Sequence, residues 1–238
     1  MRILAIIAHP HYAGINIAGT LYNHTQRGDE VYVVSLTKGD LMTNRVTSAE
    51  LAKINKRDME ASAAILGFKE TRILGFQDGE VTNSLETRIA LNRVVRELKP
   101  DVVFTHWYPN ATIPDFKYTG EVVVDAIFCA LLVQGRWIEE YPSHWTSRAY
   151  GFDEPALSVG FDPTLFVDVS DVMDVKLKSM DCFAIHCESN FGADYDKFHS
   201  SVTGPNRKWG MHAGVLYAEA LQQIKTHEVQ LKAVKYVF

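Results

Sequence analysis

The feature that most limits this chain is an alternation of strand and helix patterns that begins at its second residue. Arg2 to Ala8 (R-I-L-A-I-I-A) is a continuous apolar, β-branched run, the pattern of a strand buried on both faces of a parallel sheet. A helical stretch from about Gly14 to Thr25 follows, closed by Arg27-Gly28-Asp29, and Glu30 to Thr37 reads as a second strand. Thr47-Ser48-Ala49-Glu50 has the residues of a helix start, and Gly67 stops that helix. Thr71 to Phe76 makes a third strand, Ser84 opens a helix that Lys99-Pro100 ends, and Asp101 to Thr105 makes a fourth strand. Strand–helix repeats with short connections predict an α/β fold, a parallel sheet covered on both faces.

Beyond Tyr118 the pattern predicts a helix to about Val133, then irregular or antiparallel structure from Gln134 to Pro163. Leu165 to Val169 reads as a strand, and Ser170 as the cap of a helix running through Cys187. Asn190 to Lys208, polar and broken by Gly and Pro, reads as a loop, and Met211 to Lys225 as a last helix. With no linker, repeat or low-complexity tract, residues 1–238 are expected to form one domain.

Parallel sheets of this kind bind ligands beyond the carboxyl ends of their strands. The segments to examine are therefore His9–Gly14, Thr37–Asp40, Phe76–Gly79 and His106–Asp115. Composition narrows the partners. A formal charge of −5 opposes binding through nucleic-acid phosphates. Three cysteines without C-x-x-C spacing imply neither a disulfide framework nor a thiolate zinc site. No apolar run approaches the roughly 20 residues of a membrane helix, and the opening apolar run is too short for a signal peptide. A cytoplasmic, reducing location is the expectation. His9-Pro10-His11-Tyr12-Ala13-Gly14 lacks the G-x-G-x-x-G of a dinucleotide site.

The order of several segments resembles the LmbE/PIG-L family of zinc-dependent deacetylases over nearly the whole chain. They are Ala8-His9-Pro10 with Gly19-Thr20-Leu21, Arg27-Gly28-Asp29, Ser35-Leu36-Thr37-Lys38-Gly39, Ile65 to Gly79, Lys99 to Val103, Phe161 to Thr164 and Ala213 to Ala220. The last of these resembles the family's C-terminal helix. The resemblance implies a Rossmann-like sandwich with a mostly parallel sheet, a sugar-like substrate and assembly into homo-oligomers. It also implies a metal site whose ligands are the His and second Asp of A-H-P-D-D-E and the last His of H-P-D-H. Here those stretches read Ala8-His9-Pro10-His11-Tyr12-Ala13 and Ile113-Pro114-Asp115-Phe116. The matched ligand positions hold His9, Tyr12 and Phe116, and the base position holds His11.

One histidine, a phenol and a phenyl ring are a poor zinc site, since catalytic zinc takes three N, O or S ligands plus water. No cofactor is therefore expected at the usual place. Zinc or another divalent metal would need a rearranged site, for which His9, His11, His106 and Asp115 are the available donors. The expectation is a hydrolase of an amide or related bond with His9, His11 and Asp115 as acid/base groups. Tyr12, Asn55, Asp78, His106 and His186 are the expected substrate contacts, Asp78 by resemblance to the family's hydroxyl-binding Asp. His144 is a looser candidate, and Trp137, Tyr141, Trp145 and Tyr150 form either a stacking lid or core plugs. Against these stand plain alternatives: His9 as a hydrogen-bonded relic, His11 as a rim residue, Asp115 as a turn residue on the loop after strand four, and the whole as a non-catalytic binding or assembly subunit.

Overall fold

The computed structural model describes residues 1–133, 140–146, 148–154 and 159–225. Within them the first half follows the predicted alternation. It runs β1 (Arg2–Ile7), a π-helical turn (Ala13–Ile17), α1 (Ala18–Gln26), β2 (Glu30–Thr37), α2 (Ser48–Leu66), β3 (Glu70–Phe76), α3 (Leu85–Leu98), β4 (Val102–His106) and α4 (Pro114–Leu131). Next come β5 (Arg148–Phe152), β6 (Leu165–Asp168), α5 (Met173–Met180), α6 (Ala184–Phe191), α7 (Tyr195–Ala213) and β7 (Ala218–Ile224). The strands form one sheet in the order β3-β2-β1-β4-β5-β7-β6. Strands β1 to β5 run parallel, and β7 lies antiparallel to both β5 and β6.

The local reasons are visible in the caps. Thr47 accepts from the Glu50 amide while the Glu50 carboxylate accepts from Thr47, and Gly67 closes α2 at φ 70°. Ser84 and Thr87 make the equivalent box on α3. The period-two pleat of β1 then splits its apolar run. Leu4 and Ile6 enter the core with Leu91, Val95 and Val123 of α3 and α4. Ile3, Ala5 and Ile7 enter the opposite core with Ile17, Leu21 and Met59 of the α1 and α2 side.

Departures gather in the second half and at one site residue. Helix α4 starts at Pro114, ahead of the expected point, because proline suits the first helical position. Asp115 and Phe116 are thus in its first turn and not on a loop. The helix expected from Ser170 through Cys187 is broken between Met180 and Ala184. The expected loop at Asn190–Lys208 is mostly α7, with Pro205 inside it. An interior proline costs about 3 kcal/mol. Burial of Phe198, Val202 and Trp209 on one side of α7, at roughly 1.5–3 kcal/mol each, offsets it. The expected last helix is strand β7, since Gly214 at φ 74° ends α7 first. Residues Arg148–Phe152, expected to be irregular or antiparallel, form β5 parallel to β4.

Candidate active site

Strand β1 ends at Ile7 and the chain bends at once: the Tyr12 amide donates to the His9 carbonyl at 3.2 Å, and the π-helical turn follows. The bend brings His9 and His11 into one cleft of about 320 Å³, with Tyr12, Asp78, Met42, His186 and Asn190 among its other walls. The cleft opens beyond the carboxyl ends of β1, β2 and β3, beside the reversal of strand order between β1 and β4.

His9 is held between two carboxylates. Its Nε2 lies 2.9 Å from Asp78 Oδ1 and 2.9 Å from Asp115 Oδ2. Main-chain amides fix both acids from behind. Leu41 donates to Asp78 Oδ2 at 3.0 Å, Gly79 to Asp115 Oδ2 at 2.8 Å and Val81 to Asp115 Oδ1 at 3.1 Å. Burial alone would make His9 less basic, but hydrogen bonds to Asp115 and Asp78 and their charges prevail and push it up to about 9. At neutral pH His9 is therefore an imidazolium that donates Nε2–H to this pair. Its ring faces the cleft, and among the described residues none bonds its Nδ1.

The other cleft histidines are neutral. His11 is 4% exposed, with its ring centroid 4.2 Å from that of His186 and 4.4 Å from that of Tyr12. Burial, reinforced by His186, His9 and His106, drives its pKa well below the ordinary imidazole value. Burial and the His9 charge hold His186, on α6, at about 4. The His186 Nδ1 lies 2.9 Å from the Met42 sulfur.

Two of the expected contacts, Asn55 and His106, and the expected acid/base residue Asp115 stand behind the cleft instead of lining it. Asp115, in the first turn of α4, meets His9 from behind the cleft. Asn55 Nδ2 donates to the carbonyls of Lys38 at 2.9 Å and Gly39 at 2.7 Å, so its amide ties down a wall. Gly39 sits at φ 62°, where a Cβ would come within 3.0 Å of Pro10 Cδ. His106 is fully buried. Its Nε2 accepts from the Ala8 amide at 2.8 Å, which leaves the proton on Nδ1, and Nδ1 donates to Glu154 Oε1 at 2.5 Å. His144 is bonded to the Pro100 carbonyl. Of the aromatic lid, Trp137 lies outside the described residues. Tyr150 stacks on Phe104 within the sheet, and neither Tyr141 nor Trp145 lines the cleft.

The positions that the resemblance marks as zinc ligands do converge. The His9 ring is 5.6 Å from that of Tyr12 and 5.7 Å from that of Phe116, between centroids. Their chemistry does not fit the metal. The Tyr12 and Phe116 rings pack edge to face at 4.6 Å, and Phe116 lies flat on His106. Burial, Glu154 and Asp78 raise the Tyr12 pKa, away from the phenolate that a metal would require. A three-ligand zinc site cannot be built from His9, Tyr12 and Phe116. Of the rearranged set, only His9 and Asp115 come together. Asp78 joins them, and the three donor atoms lie within 4.8 Å of one another. A cation held there would replace the His9 Nε2 proton.

Sequence reasoning missed Met42, Asn190 and Glu154. Glu154 follows β5 at the ligand end of the sheet, so reading Arg148–Phe152 as a parallel strand would have exposed it. No comparable signal marked Met42.

The model of the PIG-L family, GlcNAc-PI de-N-acetylase, matches residues 4–127. Diacetylchitobiose deacetylase of Thermococcus kodakarensis is 29% identical over 231 residues, covering 93% of this chain and 82% of that protein. The probable N-acetyl-alpha-D-glucosaminyl L-malate deacetylase 2 of Bacillus anthracis is 31% identical over 133 residues, 53% of this chain and 59% of its own. Among solved structures, the N,N'-diacetylchitobiose deacetylase from Pyrococcus horikoshii superposes with a TM-score of 0.82 at 27% identity. It covers 94% of this chain and 83% of that one.

Proposed function

The chain belongs to the PIG-L family, and on that premise we propose that it hydrolyses an amide or related bond of a small, polar, sugar-like substrate without zinc at the usual position. The observation that carries this reading is the His9 imidazolium, clamped by Asp78 and Asp115 and facing a cleft that also holds the neutral His11. The relatives act on N-acetylated glucosamine sugars, diacetylchitobiose among them, so these are the substrates to try first.

In this scheme neutral His11 takes a proton from water as the oxygen adds to the carbonyl carbon. Charge developing on the carbonyl oxygen meets the His9 imidazolium, which is already charged and already oriented. When the tetrahedral intermediate collapses, the carbon–nitrogen bond breaks and the proton held by His11 passes to the leaving nitrogen. The products are the acid and the amine, and both histidines regain their starting states. Asp78 and Asp115 position His9, and Asp78, which also borders the cleft, is the group for a sugar hydroxyl.

The edge-to-face packing of Tyr12 and Phe116 favours a second reading, a non-catalytic member kept for binding or assembly. Acetate release from N,N'-diacetylchitobiose by the wild type and His11→Ala separates the two. Turnover that falls at least roughly a hundredfold in the variant supports the enzyme. Tight sugar binding without turnover supports the binding subunit. A cytoplasmic location and a homo-oligomer belong to the same proposal. The three cysteines are unbridged, and among the described residues no helix is long and apolar enough to cross a membrane.

A further inference from the structure

Glu154 has no part in the chemistry above, and its surroundings are unusual for a carboxylate. It is 1% exposed, and one oxygen, Oε1, accepts both the His106 Nδ1–H at 2.5 Å and the Asn16 Nδ2–H at 2.9 Å. These bonds lead to the two ends of a single segment. His106 Nε2 accepts the amide of Ala8, the residue immediately before His9. The β1–β4 ladder has its last pair at Ala5 and Phe104, so the imidazole secures the chain beyond the ladder's end. Asn16 lies in the π-helical turn that directly follows Tyr12. Residues 8–16, which carry His9, His11 and Tyr12, are thereby tied at both ends to one atom.

We propose that Glu154 is the positioning residue of this site: by fixing His106 in its Nδ1–H form and holding Asn16, it sets where His9 and His11 stand in the cleft. The tautomer is the first reason. Were the His106 proton on Nε2, that N–H would face the Ala8 N–H, donor against donor; a carboxylate oxygen at Nδ1 prevents this. The cost is the second. A buried carboxyl group, ionised or protonated, is more costly than an apolar side chain of the same volume, and packing alone does not require one. Burial raises the proton affinity of Glu154 well above that of an ordinary glutamate, against the opposing effect of Asn16. Both bonds end on Oε1, an acceptor whether or not the carboxyl carries a proton. Glutamine offers an amide oxygen to the same two donors.

The kinetic arm of the test rests on the hydrolase reading; the spectroscopic arm does not. Full-length protein labelled with 15N-histidine is compared by NMR as wild type, Glu154→Gln, Glu154→Leu and Asn16→Ala. The wild type and Glu154→Gln are expected to share the His106 Nδ1–H pattern and the same His9 and His11 ring shifts. Glu154→Leu is expected to lose that pattern and to move both rings. Asn16→Ala, which cuts one tie, is expected to move His11 and leave the His106 pattern in place. In acetate release, Glu154→Leu should lose about 10–100-fold in kcat with KM changed less than about threefold, and Glu154→Gln should stay near wild type. If the wild type releases no acetate, the hydrolase reading fails while the ring shifts still decide the role of Glu154. Unchanged His9 and His11 shifts in a folded Glu154→Leu, or equal damage from Gln and Leu, overturn the proposal. If Glu154→Leu does not fold, an unmoved His11 in Asn16→Ala overturns it.

Discussion

Phe116 lies flat against His106, their ring centroids 4.7 Å apart and their planes 2° from parallel. The stack puts an aromatic face where the family resemblance expects a metal-binding imidazole. Next to this stack, His9 is held by Asp78 and Asp115, each 2.9 Å from its Nε2.

Restoring the donors should therefore restore the metal. The double change Tyr12→Asp and Phe116→His supplies a carboxylate and an imidazole next to His9. Isothermal titration with zinc after chelator dialysis should show about one ion bound per chain, at least roughly tenfold more tightly than in the wild type. Equal affinity in the two proteins would mean that the aromatic pair is not what keeps zinc from that position.

Stability should pass through a maximum near pH 6.5. His9 is raised from 6.5 to about 9, so it favours the folded state fully below 6.5. That contribution, about 3 kcal/mol for this shift, is lost as pH climbs from 6.5 through 9. His186 is depressed to about 4. The unfolded chain then binds its proton more readily, and stability falls as pH drops from 6.5 towards 4. Urea midpoints at pH 5, 6.5 and 9.5 check the profile, and a monotonic rise to pH 9.5 would contradict it.

Removing one side of the clamp should lower the basicity of His9. Asp115→Asn keeps an acceptor for one of the Gly79 and Val81 amides and deletes the charge. The His9 NMR titration should move down from about 9 by roughly one unit or more, with about 1–3 kcal/mol lost in stability. A titration that does not move would show that Asp78 alone governs His9.

Asn55 tests the difference between touching a substrate and holding a wall. Asn55→Ala removes both bonds to the Lys38 and Gly39 carbonyls in a buried place, and should cost about 1–3 kcal/mol. Its effect on acetate release should appear in KM through a loosened Lys38–Gly39 wall. A loss confined to kcat would point to direct participation.

The first half of the fold was legible because each element carried its own local signal: an apolar run for β1, capping boxes at Thr47 and Ser84, stops at Gly67 and Lys99. The second half was not, because packing overrode those signals. Pro205 marks a break that the burial of Phe198, Val202 and Trp209 cancels, and Gly214 is a stop whose weight shows only when β7 is seen completing the sheet. The site divides in the same way. That His9, His11, Asp78 and Asp115 gather at the ligand end of the sheet was readable from strand ends and matched motifs. That Asn55 and His106 lie behind the cleft, and that Glu154 is bonded to His106, depends on side-chain directions and long-range contacts that no local pattern encodes.

Hydrolysis without zinc is tested most directly by the rate of acetate release from N,N'-diacetylchitobiose before and after exhaustive dialysis against a chelator, with zinc then added back. A reaction carried by His9 and His11 alone predicts a rate that dialysis leaves unchanged and that zinc does not raise. Loss of the rate on dialysis and its return with stoichiometric zinc would contradict it.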